Sequence, residues 1–182
     1  PALKGRKIEF KSFHRKDRRP GPADHGTAVA GMLVGIPSWG GLLPGAKLKA
    51  ANMFEINKAG RVVGNAVALL KAINWMAKEK VHVVNLSVAG ANNQVVKKAF
   101  DQARKKGLSM VAAAGNGGKS AKPAYPAAYK DVLAVTAFGA KRKIYSNANI
   151  GGYIDFAAPG VKIYTAVPGG GRLQSGTSFA SP

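Results

Sequence analysis

The apolar positions of this chain fall into two kinds of run. Short, nearly continuous runs at Lys7–Phe10, Lys47–Phe54, Val81–Ser87, Leu108–Ala114, Val132–Phe138 and Ile154–Ala157 predict strands. Between them lie stretches with a period near 3.6. One begins at Asp24 and carries Val29, Met32, Leu33 and Ile36 on one face, with Gly35, Pro37 and Gly40-Gly41 to stop it. A second, Val62–Lys80, repeats through Val63, Val67, Leu70, Ile73, Trp75 and Met76. A third, Asn93–Lys106, ends at Gly107. The small and apolar residues after Ser178 predict the opening of one more helix. Strand and helix alternate, so right-handed crossovers should build a three-layer α/β fold, a mainly parallel sheet with helices on both faces. No repeat or linker divides the chain, and 1–182 reads as one domain.

Composition changes this picture in one respect. A hydrophobic content of 46% with 23 glycines suits a compact, loop-rich α/β protein. No apolar run is long enough to span a bilayer. The absence of cysteine excludes a disulfide scaffold and a thiolate zinc site. The charge is unusual: 28 Lys and Arg against 8 Asp and Glu give +20. Eight of the first nineteen residues are Lys or Arg. Such a balance invites a nucleic-acid or anionic-surface reading. The aromatic residues show no base-stacking pattern, so no nucleic-acid partner is favoured.

Three residues carry candidate chemistry. His25 opens a helix in an His-Gly-Thr setting, Asn116 ends a strand after Ala113-Ala114-Gly115, and Ser178 follows Gly176-Thr177. A histidine can take the proton of a serine hydroxyl, and an asparagine amide can join a backbone N–H in holding an oxyanion. Each also has a plain structural reading: a helix-start histidine, a turn asparagine and a capping serine. Other candidates are weaker. Gly118-Lys119-Ser120 lacks the glycine at 113 and the following helix of a phosphate loop, because Ala113, Pro123 and Pro126 stand there. His14 reads as solvated and His82 as structural.

Taken together, these motifs resemble the subtilisin family of serine peptidases, the subtilases. His25-Gly26-Thr27-Ala28-Val29-Ala30-Gly31 is similar to the family's histidine motif, and Gly176-Thr177-Ser178-Phe179-Ala180-Ser181-Pro182 to its serine motif. Ala113-Ala114-Gly115-Asn116 matches its oxyanion asparagine. Leu43-Pro44-Gly45-Ala46, Asn85-Leu86-Ser87, Tyr125-Pro126-Ala127 and Ala158-Pro159-Gly160-Val161 agree in register. The resemblance implies an endopeptidase with Ser178 as nucleophile, His25 as general base and acid, and Asn116 in the oxyanion hole. It also implies that Ser87, Val88 and Ala89 lie along the substrate backbone. Ala113, Ala114 and Gly115, with Tyr125, Pro126 and Ala127, would surround the pocket for the residue preceding the cut. A polypeptide substrate, a pro-segment outside this chain, and a secreted or periplasmic location follow from the same resemblance. Some members bind calcium, yet the eight acidic residues form no cluster along the sequence. No cofactor and no metal ligand are expected.

The chain departs from the family at one point. The family's order is Asp, His, Ser, and no Asp-(Ser/Thr)-Gly occurs before His25. Asp17 lies in a charged loop, and Asp24 adjoins His25, where consecutive side chains on a helix diverge. The expectation is a partial domain, truncated at both ends, with its aspartate upstream and little activity alone. A peptidase-like binding module without turnover and a basic nucleic-acid-binding protein are the alternatives.

Overall fold

The computed structural model describes residues 1–182. In chain order the strands and helices are β1 (Ile8–Ser12), β2 (Arg19–Pro20), α1 (Asp24–Val34), β3 (Leu48–Asn52), β4 (Phe54–Ile56) and β5 (Val62–Gly64). There follow α2 (Ala66–Lys78), β6 (Val83–Leu86), α3 (Gln94–Lys105), β7 (Ser109–Ala113), β8 (Leu133–Phe138), β9 (Phe156–Pro159), β10 (Ile163–Val167) and β11 (Gly170–Gln174). Strands β6, β7, β8 and β9 form a four-stranded parallel sheet in sequence order, and β1 pairs in parallel with β3. The mainly parallel α/β architecture is the one the alternation predicts.

Two of three local departures have identifiable causes. The run Lys47–Phe54 is not one strand. The Asn52 side-chain oxygen accepts from the Phe54 N–H at 3.0 Å, a tight Asx turn that ends β3 and releases Phe54–Ile56 into a separate antiparallel sheet with β2 and β5. The helix expected over Val62–Lys80 begins only at Ala66. Asn65 is extended and its side chain accepts from the Ala68 N–H at 2.8 Å, which caps the helix there and leaves Val62–Gly64 free to pair with β4. The helix expected at Ser178 is a single 3₁₀ turn, Thr177–Phe179. A hairpin, β10 with β11, was not legible in the pattern, because its second strand opens on glycines. Its turn passes through Gly169 at φ +82°, a conformation glycine adopts without strain.

Alternation along the sheet strands sorts the core. Val84, Leu86, Met110, Ala112 and Ala134 point to one face and meet Ile73 from α2 with Val96, Phe100 and Ala103 from α3. Val135 and Ala137 point to the other face and pack against Ala180, just beyond the Ser178 turn. On that side α1 runs along β10. The Thr165 hydroxyl donates to the Ala28 carbonyl at 2.9 Å, and a Cβ on Gly31 would lie 3.0 Å from the Ala166 Cβ. Small residues let the helix approach this closely.

Candidate active site

The site lies beyond the carboxyl ends of β6, β7 and β8, where loops from parallel strands converge. Its organising residue is Thr177, wholly buried at 0% exposure. The Asn116 Oδ1 accepts from the Thr177 N–H at 2.9 Å and from the Thr177 hydroxyl at 3.1 Å. The same hydroxyl accepts from the Gly115 N–H at 3.2 Å. With Oδ1 turned to two donors, the orientation of the amide is fixed by its partners. Its Nδ2 donors have no protein acceptor and lie beside Gly176, where an added Cβ would sit 3.4 Å away. Gly115 must be glycine: its φ is +107°, and a Cβ would come within 2.7 Å of the Asn149 amide.

Ser178 is half-buried, between the buried Thr177 and Phe179. Its backbone carbonyl accepts from the Ser87 hydroxyl at 2.9 Å, across 91 positions of sequence. Ser87 also bonds the Ser181 hydroxyl at 3.1 Å and accepts from the Asn85 amide at 2.9 Å. The turn that carries Ser178 is thereby tied to the end of β6. His25, in the first turn of α1, has its ring centroid 5.6 Å from that of Phe179, the residue after Ser178. Ser178 and His25 thus reach one region although they are far apart in sequence. No hydrogen bond joins them directly. His25 keeps part of its ring in solvent, while the protein packed behind it disfavours the charged form and lowers its pKa below the ordinary 6.5 through burial. That burial favours the neutral imidazole, the form able to accept a proton.

Asp24 turns away from this region and pairs with Arg172 at 3.2 Å. Asp17 pairs with its neighbour Arg18 at 3.6 Å. Neither carboxylate is bonded to His25. The basic loop near Arg15 is anchored by Glu55, which is fully buried and accepts from the Arg15 backbone N–H at 3.0 Å and from its Nε at 2.8 Å. These contacts hold the Glu55 carboxyl below its ordinary range.

A cleft of about 570 Å³ opens beside Asn116, walled by Ala89, Gly90, Gly115, Asn116, Ala124 and Tyr125, with Lys122 and Asn149 at its margin. Its two walls are joined by a pair of backbone bonds, Gly90 N–H to the Tyr125 carbonyl at 2.8 Å and Tyr125 N–H to the Gly90 carbonyl at 3.0 Å. Of the residues expected around a substrate, Ala89, Gly115 and Tyr125 line this cleft. Ala113, Ala114, Pro126 and Ala127 do not: they are buried behind its wall, and Ala127 belongs to the core against α3. The Val88 side chain packs toward that same core, and the Ser87 side chain bonds the Ser178 turn. Sequence reading missed Thr177 and Asn149. Asn149, 3% exposed, accepts from the Gly117 N–H at 2.7 Å and donates to the Lys122 carbonyl at 3.2 Å, which shapes the cleft wall. Only the position of Thr177 inside the serine motif offered a signal.

No three His, Asp or Glu side chains group together as metal ligands. No helix is long and apolar enough to cross a membrane.

Comparison with known proteins identifies the family and the fold. A family model described as "Subtilase family" matches residues 7–182. Subtilisin DY of Bacillus licheniformis is 34% identical over 166 residues, covering 87% of this chain and 59% of its own length. The minor extracellular protease Epr of Bacillus subtilis (strain 168) is 33% identical over 181 residues, covering 96% of this chain and 26% of its own. Among solved structures, the protease domain of PatA superposes with a TM-score of 0.87 at 27% identity, over 100% of this chain and 70% of that one. This chain therefore spans only part of the curated relatives it matches.

Proposed function

Because this chain belongs to the subtilase family of serine peptidases, we propose that the full-length protein is an endopeptidase acting through an acyl-enzyme on Ser178. The observation that carries this reading is the fixed amide of Asn116, with Oδ1 held by Thr177 and Nδ2 free beside the Ser178 turn. A donor held in advance stabilises charge that develops during reaction without reorganising at that moment.

In this mechanism the Ser178 Oγ attacks the scissile carbonyl carbon while its proton passes to His25. The carbonyl oxygen becomes an oxyanion held by the Asn116 amide and the Ser178 N–H. The C–N bond then breaks, and the amine leaves with the proton from His25. Water attacks the acyl carbon, gives its proton to His25, and releases Ser178 with that proton restored. The carboxylate that orients His25 comes, in this reading, from a part of the protein outside these 182 residues, since Asp17 and Asp24 are engaged elsewhere. The substrate is a polypeptide whose backbone runs along residues 87–89, and its side chain preceding the cut enters the cleft beside Asn116. Action outside the cell, or in a periplasm, is supported by the extracellular protease Epr among the relatives.

The test is to incubate the full-length protein and its Ser178→Ala variant with one unstructured protein substrate. Turnover by the first and none by the second is the expected result. Absence of turnover with retained peptide binding would replace this reading with that of a catalytically silent binding module.

A further inference from the structure

Basic residues stand at both ends of the four-stranded sheet, but the acidic ones are confined to one. The acidic residues of this half are Asp101 on α3, Asp131 before β8 and Asp155 before β9, all away from the carboxyl ends of the strands. Each is already engaged: Asp101 with Lys97 at 3.0 Å, Asp131 with Arg104 at 3.1 Å, and Asp155 with the Ala134 N–H at 2.8 Å. The loops at the carboxyl ends carry no acidic residue. They carry Lys119 and Lys122 after β7, Lys141, Arg142 and Lys143 after β8, and Lys162 after β9. No ion pair involves any of these six.

A second observation concerns the backbone. Lys141, Arg142 and Lys162 have φ of 63°, 54° and 55°, the left-handed region where glycine or asparagine sits with less strain. Basic side chains stand where the backbone would favour glycine. These loops also join the cleft wall directly. The Gly118 N–H donates to the Asn147 carbonyl at 2.8 Å, and the Asn149 N–H to the Gly115 carbonyl at 3.0 Å. Within the cleft Lys122 is the one charged residue, and the buried Asn149 amide holds its carbonyl in the wall. The remaining wall is uncharged.

Resting on the peptidase reading, we propose that the cleft selects acidic polypeptides and seats a Glu or Asp side chain, the residue preceding the cut, beside Lys122. The cationic loops would raise the local concentration of an acidic chain, and Lys122 would discriminate at the bond itself. An apolar or basic side chain would leave that ammonium without a counter-charge.

The experiment uses the full-length protein and peptides that differ only at the residue preceding the cut: Glu, Gln, Phe or Lys. The expected result at low salt is a kcat/KM for Glu about fivefold above Gln, the scale of one accessible ion pair. The ratio should shrink as salt rises. Lys122→Ala should bring the Glu:Gln ratio to about one, and Lys122→Glu should invert it. Cleavage that favours Phe or Lys, or a Glu preference untouched by Lys122→Ala, overturns this inference and leaves the peptidase reading standing. No cleavage of any peptide overturns both. A single-stranded oligonucleotide that inhibits more strongly than an acidic peptide of equal charge would reassign the basic face to nucleic acid and overturn the inference as well.

Discussion

Against one face of β6–β8, helices α2 and α3 press Ile73, Val96 and Phe100 onto Val84, Met110 and Ala134, an almost wholly apolar contact. Beyond the carboxyl ends of the same strands, the Ser178 turn is held instead by hydrogen bonds among Asn116, Thr177, Gly115, Ser87 and Ser181. The first region is summed from many weak, non-directional contacts, so no single pair sets its geometry. The second depends on a few directional bonds between residues 61 to 94 positions apart. Packing tolerates shape changes and reports them as stability. A bonded site tolerates little and reports the loss as function.

This contrast is open to attack first at Phe100, 1% exposed. Phe100→Ala should lower unfolding free energy by about 3–5 kcal/mol, through lost transfer energy and the cavity left behind. Urea denaturation measures this. The kcat per folded molecule of the full-length protein should be unchanged, and a fall in kcat would show that the two regions are coupled.

Asn116→Ala should act mainly on kcat. In the full-length protein kcat should fall about 10²- to 10³-fold, a magnitude carried over from subtilisin, whose corresponding donor defines it. KM should hardly move, while the Thr177 N–H left without its acceptor should cost about 1–3 kcal/mol of stability. A raised KM with unchanged kcat would make Asn116 a ground-state binding residue.

Thr177→Val sharpens the comparison because it sits on both sides. It keeps the backbone N–H to Asn116 but removes the hydroxyl, leaving the buried Gly115 N–H without its acceptor. Stability should fall by about 1–3 kcal/mol. The loosened amide should also lower kcat, by less than Asn116→Ala does. A stability loss with full kcat retained would show that the backbone donor alone orients Asn116.

The smallest effect concerns protons. Burial lowers the folded-state pKa of His25, so the folded chain binds fewer protons than the unfolded chain just below the ordinary 6.5. Stability is therefore greater above that value and declines as pH falls from it toward the lowered pKa. Proton NMR of His25 in this chain should give a midpoint below 6.5. A carboxylate partner in the full-length protein should move the midpoint upward. A midpoint at or above 6.5 in residues 1–182 would contradict the burial argument.

Much of the fold was legible because it follows from local periodicity. The strands at 81–87, 108–114 and 132–138 and the helix capped by Asn93 lie within a few residues of their expected limits. The errors arose where a side chain overrode a continuous apolar run, at Asn52 and Asn65, whose amides bond the backbone two or three residues ahead. Periodicity does not register such a bond.

The identities of His25, Asn116 and Ser178 stand in the sequence, and their motifs placed the chain in its family. Sequence alone also determined the charge and the lack of acidic residues along the cleft segments. Tertiary structure decided which way each group faces. It aimed the Ser87 hydroxyl at the Ser178 carbonyl and buried Ala113, Ala114, Pro126 and Ala127 behind the wall. It also made Thr177 the holder of Asn116. The reason is physical: a motif fixes which donors and acceptors exist, but a hydrogen bond also needs distance and angle. Those are set only when strands far apart in the chain are brought side by side.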